Sequence, residues 1–121
     1  MEIEEGSFSI EADKKFLGQA VSNLIINGIQ AMDESENRRI DVRLTKKNLK
    51  KCTLEVRDYG RGIEENIQDK IFIPNFSTKS SGSGIGLAIS KRAVEHASGD
   101  IWFETKTGAG TSFFIELPLI N

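Results

Sequence analysis

Asn23 and Asn27 stand four residues apart in "NLIING", so on a helix they share one face. The helix is otherwise apolar around them, and a buried amide side chain is costly unless its hydrogen bonds are made. Two chemistries answer that need. The pair can bond to loop backbone, or it can offer neutral carbonyl oxygens to Mg²⁺, which prefers oxygen ligands and keeps several waters. A second pattern, "RDYGRGI" (57–63), ends a strand-like run on Asp58 and follows it with Gly60 and Gly62. Asp58 either caps a tight turn or presents a carboxylate at a strand end to a cleft. In a cleft it could accept the N6 amino hydrogens of adenine; guanine carries an oxygen there and would be rejected. The third pattern, "SSGSGIGLAIS" (80–90), sets Gly82, Gly84 and Gly86 before a helix-like run. Residues without Cβ let a ligand approach the backbone, and the first amides of a helix point outward as an anion site. A hinge and a phosphate cradle both fit this pattern. It is not a Walker A loop, since no Gly-Lys-Ser/Thr follows. Its glycine spacing also differs from the dinucleotide fingerprint.

The elements that must position these residues can be read from periodicity. "SFSIEA" (7–12) alternates as a strand. Asp13 is a plausible N-cap for a helix in which Phe16, Leu17, Ala20, Val21, Leu24, Ile25, Gly28 and Ala31 recur at helical spacing. "IDVRLTKK" and "CTLEVRD" alternate with period two and read as an antiparallel pair. A second helix is expected from about Ile85 to Ala97, ending near Gly99. "DIWFETK" and "TSFFIELP" read as two further strands joined by the turn "TGAG". The expected fold is α+β: a two-layer sandwich with a mixed, mainly antiparallel sheet and helices on one face. Residues 64–84 are too long for a simple connection, and such segments tend to be lids or binding loops.

At 121 residues the chain is expected to form one domain. Its 38% hydrophobic and 28% charged residues suit a soluble globule. Sixteen basic against eighteen acidic residues leave a net charge of −2. No basic patch stands out, so nucleic acid is a poor fit. A single cysteine, Cys52, excludes an internal disulfide, reads as a strand residue and fits a reducing cytosol. No apolar run approaches a membrane span and no signal-peptide pattern opens the chain. A cytoplasmic location is expected, although a parent protein could be membrane-anchored.

Order adds what single motifs lack. Asn-x-x-x-Asn, Asp-x-Gly-x-Gly, a Phe-rich segment, Gly-x-Gly-Leu and Gly-x-Gly-Thr follow one another. That series resembles the catalytic, ATP-binding domain of sensor histidine kinases, in the superfamily that includes gyrase, Hsp90 and MutL. The resemblance runs from about Phe16 to Pro118. "FLGQAVSNLIINGIQAM" looks like the N box, "DYGRGI" like G1, "IFIPNFSTK" like the F box, "GSGIGLA" like G2 and "GAGTSF" like G3. It implies a Bergerat-type ATP-binding fold with ATP and Mg²⁺ as ligands. Asn27 would bind Mg²⁺ bridging the phosphates, with Asn23 nearby. Asp58 would read adenine directly and through a water shared with Thr111. Gly60, Gly62 and Ile63 would border the adenine pocket, with Ala31 behind it. Gly82, Gly84, Ile85, Gly86 and Leu87 would cradle phosphates at the root of an ATP lid spanning about 64–84. Phe72 and Phe76 would anchor that lid, and Lys79 could reach the γ-phosphate.

The chain also departs from the family pattern. Gln30 stands where many members carry Lys or Arg, so one phosphate cation is missing and Lys79 is the candidate substitute. The common His-Gly-Gly is replaced by Ala97-Ser98-Gly99, with His96 one residue early. His96, the only histidine, reads as a surface residue and not as a phosphoacceptor. Asn75 lies in a glycosylation sequon that a cytosolic lid makes irrelevant, and Trp102 reads as strand packing.

The resemblance further implies a His acceptor on a dimeric helical hairpin, a response regulator downstream, and a homodimeric parent. The hairpin would precede residue 1, so a cut-down, monomeric fragment is expected, unable to label itself. Two other classes share the fold. A gyrase- or Hsp90-type ATPase would need a Glu one turn before the metal Asn, where Asn23 stands. An anti-sigma-factor Ser kinase would be a complete chain of about this length; the spelling of the F and G2 boxes favours the histidine kinase.

Overall fold

Alternation decides the sheet. In the computed structural model, which describes residues 2–3, 9–10, 14–32, 39–73 and 86–120, the strand β3 (Ile40–Lys46) pairs antiparallel with β4 (Lys51–Asp58). β4 pairs antiparallel with the long β6 (Gly110–Ile120), and β6 with β5 (Asp100–Lys106). The even-numbered residues of β4, Cys52, Leu54, Val56 and Asp58, face inward, as do Thr111, Phe113, Ile115 and Leu117 of β6. The odd-numbered residues of β4 and the even-numbered ones of β6 form the opposite face.

Two helices cover the inner face. Along α1 (Lys14–Met32), Ala20, Leu24, Gly28 and Met32 are buried at steps of four, one face of a 3.6-residue period. The second helix, α2 (Gly86–His96), packs on α1, and the buried Ser90 hydroxyl donates to the Ala20 carbonyl oxygen at 3.0 Å. Leu24, Val94, Phe113, Ile115 and Leu117 belong to one core cluster between the layers. Fully burying a side chain such as Phe113 contributes roughly 1.5–3 kcal/mol.

Two-residue strands complete the sheet. β1 (Glu2–Ile3) lies parallel to β3, and β2 (Ser9–Ile10) pairs antiparallel with the end of β6. The expected mixed, mainly antiparallel sheet with helices on one face is therefore present. β1 was not foreseen, because two residues carry no alternation. Of the expected strand 7–12, Ser9–Ile10 is described. The Asp13 cap and the start of the second helix at Ile85 lie outside the described residues.

The expected lid is not irregular throughout. A 3₁₀ turn at Glu65–Ile67 and further turns bring Ile71 into the core and Phe72 against it. Between residues 64 and 73 the segment is a short 3₁₀ turn and further turns, with Phe72 packed on the core where an anchor was expected, and residues 74–84 lie outside the described set. His96 is exposed, as expected, and Trp102 stacks on Phe114 with centroids 5.5 Å apart on the outer face.

The end of α2 holds a strained residue. Ser98 has φ of 62°, and the Gly99 N–H donates to the Val94 carbonyl oxygen at 2.9 Å. Gly99 is itself pressed on the Glu116 carbonyl and Leu117, leaving no room for a Cβ. An L-residue in the left-handed region costs about 1–2 kcal/mol, whereas glycine adds roughly 0.5–1 kcal/mol of chain entropy. Ser98→Gly should therefore raise the unfolding free energy by about 0.5–1 kcal/mol in a urea melt. A decrease would mean that the Ser98 side chain contributes a contact outweighing the strain.

Glu116, buried on β6, accepts from Lys47 Nζ at 2.7 Å and lies 3.1 Å from Lys51 Nζ. The Lys47 hydrogen bond, aided by Lys51 and opposed by burial, holds its carboxyl below the ordinary value of 4.5. A carboxyl lowered on folding contributes stability above its unfolded value and loses it as pH falls through the folded value. Between about pH 6 and about pH 3, the native chain should lose more stability than Glu116→Gln. Parallel urea-midpoint curves for the two proteins would contradict this.

Candidate nucleotide-binding site

Asp58 is the last residue of β4 and is only 3% exposed. A carboxylate so placed must be held by hydrogen bonds. Its Oδ1 accepts from the Gly60 N–H at 2.9 Å, which closes the turn after the strand. Two glycines wedge it in place. Gly28 of α1 passes so close that a Cβ there would lie 2.7 Å from Ile40 Cδ1 and 3.2 Å from Asp58 Cβ. Gly110, at φ 112°, lies against the Asp58 carbonyl, where no side chain could fit. Helix α1 and the β5–β6 hairpin thus close on the strand end from two sides.

Thr111 is the register partner of Asp58 and is also buried. Its hydroxyl lies 2.8 Å from the Thr105 hydroxyl. Thr105 Oγ1 accepts from the Ile63 N–H at 2.9 Å and lies 3.2 Å from the Gly110 carbonyl oxygen, to which it can donate. Gly62, at φ 81°, brings its backbone against the Lys106 carbonyl, and the Gly108 N–H donates to the Arg61 carbonyl oxygen at 2.8 Å. Residues 60–63 are therefore stitched to the β5–β6 hairpin, and Gln68 Nε2 donates to the Ile63 carbonyl oxygen at 3.0 Å. On the opposite face, the Tyr59 hydroxyl donates to Asp41, while Arg57 lies 4.8 Å from the Tyr59 ring centre. The Tyr59 hydrogen bond, then Arg39, holds the Asp41 carboxyl below its ordinary value.

Asn23 and Asn27 are half-buried on the flank of the Leu24–Gly28 stripe, and both are hydrogen-bonded or otherwise partnered. Asn27 directly precedes the glycine that touches Asp58. Their amide oxygens are hard donors of the kind Mg²⁺ accepts. No group of three His, Cys, Asp or Glu suited to a metal occurs among the described residues. That donor set fits a cation held by one or two protein oxygens and by phosphates.

Phe72 packs 6.1 Å from Phe103 and 6.3 Å from Phe113, centre to centre, and Lys91 Nζ sits 5.5 Å from the Phe72 ring centre. Ile63 and Leu87 are half-buried against the core. α2 begins at Gly86, the last glycine of the sequence run 82–86. Lys79, Phe76, Gly82, Gly84 and Ile85 lie outside the described residues, and Ala31 is described only as part of α1. The structure thus brings together Asp58, Gly60, Gly62, Ile63 and Thr111, with Asn27 on the adjoining helix.

Thr105 is the residue the sequence reading missed. Its signal was the hairpin register, which sets it opposite Thr111 across the turn 107–109. Gly28 was read only as a core position, although a glycine in the middle of a helix, between Asn27 and Ile29, hints at close approach.

The chain belongs to the histidine kinase-, DNA gyrase B- and HSP90-like ATPases, whose family model matches residues 12–121. Its relatives include the signal transduction histidine-protein kinase AtoS of Escherichia coli (strain K12), 36% identical over 91% of this chain and 18% of that protein. The sensor protein FixL of Bradyrhizobium diazoefficiens is 31% identical over 96% of the chain and 23% of its own length. The chain thus spans about a fifth of the curated relatives' length. Among solved structures, the catalytic domain of histidine kinase ThkA superposes with a TM-score of 0.82 at 32% identity, covering 96% of this chain and 74% of that one. The mycobacterial sensor histidine kinase MprB gives 0.85 at 28%, covering 98% and 80%.

Thr105→Val keeps the shape and removes the hydroxyl. It leaves the Ile63 N–H without its acceptor, so stability should fall by about 1–3 kcal/mol. Hydrogen exchange at Ile63 should accelerate with it. A denaturant midpoint equal to that of the native chain would remove Thr105 from the framework of the site.

Proposed function

We propose that this chain binds Mg-ATP and donates the γ-phosphoryl group to a histidine on a separate helical hairpin, as the catalytic domain of a two-component sensor kinase. The observation that carries this reading is the buried Asp58 carboxylate, fixed between Gly28 and Gly110 beside Thr111. A carboxylate there selects a base with an amino hydrogen and rejects one with an oxygen. Gly60, Gly62 and Ile63 would line the base, with Ala31 behind it. Asn27, with Asn23 nearby, would hold Mg²⁺, whose charge neutralises the phosphate oxygens when it is bound. The start of α2, with Gly82, Gly84, Ile85, Gly86 and Leu87, would cradle the phosphates through free amides. Phe72 and Phe76 would anchor the lid, and Lys79 would reach the γ-phosphate.

The reaction asks little covalent chemistry of this chain. The lone pair of an acceptor imidazole nitrogen attacks the γ-phosphorus, the bond to the β–γ bridging oxygen breaks, and ADP leaves. Catalysis is then positioning and charge stabilisation. The parent would be a homodimer carrying the hairpin, and the phosphohistidine would pass its phosphoryl group to an aspartate of a response regulator. Among the described residues no helix is long and apolar enough to cross a membrane. Asn23 at the place of a catalytic Glu disfavours the ATPase of the gyrase or Hsp90 kind.

The test uses radiolabelled ATP. The chain alone should not label itself, because exposed His96 ends α2 on the body of the same domain and cannot swing to a γ-phosphate. Adding the parent's hairpin should give an acid-labile, alkali-stable label, unchanged by His96→Ala. Self-labelling that vanishes in His96→Ala would contradict the reading. Asn27→Ala should remove the Mg²⁺-dependent part of ATP affinity, and an unchanged Mg²⁺ dependence would remove Asn27 from the metal site.

A further inference from the structure

The turn between β3 and β4 gathers four lysines, Lys46, Lys47, Lys50 and Lys51, around Leu49, which is 77% exposed. The turn is tightly built. Asn48 Oδ1 accepts from the Lys50 and Lys51 N–H groups at 2.7 and 3.0 Å. The Lys47 and Asn48 N–H groups donate to the Lys51 carbonyl oxygen at 2.9 and 3.2 Å. Such closure fixes the apex and leaves the apolar side chain pointing away from the core. Glu116 draws Lys47 and Lys51 to one side of the hairpin. Lys46 and Lys50 are exposed and form no ion pair among the described residues. Among the described residues Glu116 alone is ion-paired at this tip, with two of the four lysines, so the tip is basic on a chain whose net charge is −2.

We propose that this tip, residues 46–51, docks on an anionic phospholipid surface, with Leu49 entering between headgroups and the lysines meeting lipid phosphates and carboxylates. Size decides against a protein partner. A specific protein interface needs about 800 Å² from each side, more than a convex six-residue tip offers. A bilayer accepts a convex tip: apolar insertion and electrostatic attraction to anionic lipid add together. The position suits it. Asp58 lies at the other end of β4, about 23 Å along the strand at ~3.3 Å per residue. Docking would leave the nucleotide site facing away from the membrane. The proposal does not rest on the reading of that site.

Vesicle sedimentation tests it with the full chain. Phosphatidylcholine vesicles containing phosphatidylserine should bind the chain, pure phosphatidylcholine should not, and added salt should release it. Lys46→Gln with Lys50→Gln should weaken binding about thirtyfold, and Leu49→Ser about tenfold. All three substituted side chains are exposed, and unchanged circular dichroism and melting would confirm intact folds. Insertion is read directly with Leu49→Trp in a Trp102→Phe background, whose emission should shift to the blue on anionic vesicles. Binding without that shift would overturn the insertion. Equal binding to both vesicle types, or to neither, would overturn the proposal. So would salt-sensitive binding to duplex DNA in the absence of vesicle binding.

Discussion

A buried carboxylate at the end of a central strand constrains everything around it. Asp58 can stay at 3% exposure only if its neighbours supply hydrogen bonds and leave it no room to move. The turn at Gly60 gives one donor. Gly110 must adopt a positive φ to pass under the Asp58 carbonyl, and α1 must carry a glycine where it crosses the strand end. Each concession in local propensity, a glycine inside a helix and another opening a strand, costs roughly 0.5–1 kcal/mol relative to alanine. These costs fall at one place, which is the pattern expected where a site and not the fold sets the residue type.

The threonine pair carries that constraint outward. Thr111 faces Asp58 across the sheet, and Thr105 ties it to Ile63 and to the Gly110 carbonyl. The loop after β4 therefore cannot move without the β5–β6 hairpin. Phe72 continues the chain of contacts through Phe103 and Phe113 to the core, so the segment leaving the site is fastened by aromatic packing before residue 74. If the Asp58 end reads a base as proposed, its attachment to a separately anchored segment suits a phosphoryl donor, because a fixed base sets where the phosphates must lie.

Much of this was legible in the sequence, for identifiable reasons. The strands β3 to β6 alternate because one face meets helices and the other does not, and period two survives in the letters. The helix stripe at Ala20, Leu24 and Gly28 is equally direct. Asp58, Gly60 and Gly62 could be singled out because their spacing falls in order between the asparagine pair and the glycine-rich run. Thr105 could not, since a threonine in a strand has a strong propensity of its own and its role exists only in the paired register. β1 escaped because two residues show no period. The lysines of the basic tip stand together in the letters "KKNLKK", but only the closed turn shows Leu49 exposed at its apex. The burial of Ile71 was not read from the letters, because a lone apolar pair in a segment of turns shows no period.

The central claim is that Asp58 chooses the base. Titration calorimetry of the native chain and of Asp58→Asn, each with Mg-ATP and Mg-GTP, tests it most directly. Asparagine keeps an acceptor for the Gly60 N–H but removes the charge, so the turn should survive. The account predicts that the native chain binds ATP and scarcely binds GTP. It predicts that the variant loses about 1.5–3 kcal/mol for ATP and nothing for GTP. Equal losses for the two nucleotides, or native binding indifferent to the base, would make Asp58 a structural residue and contradict the account.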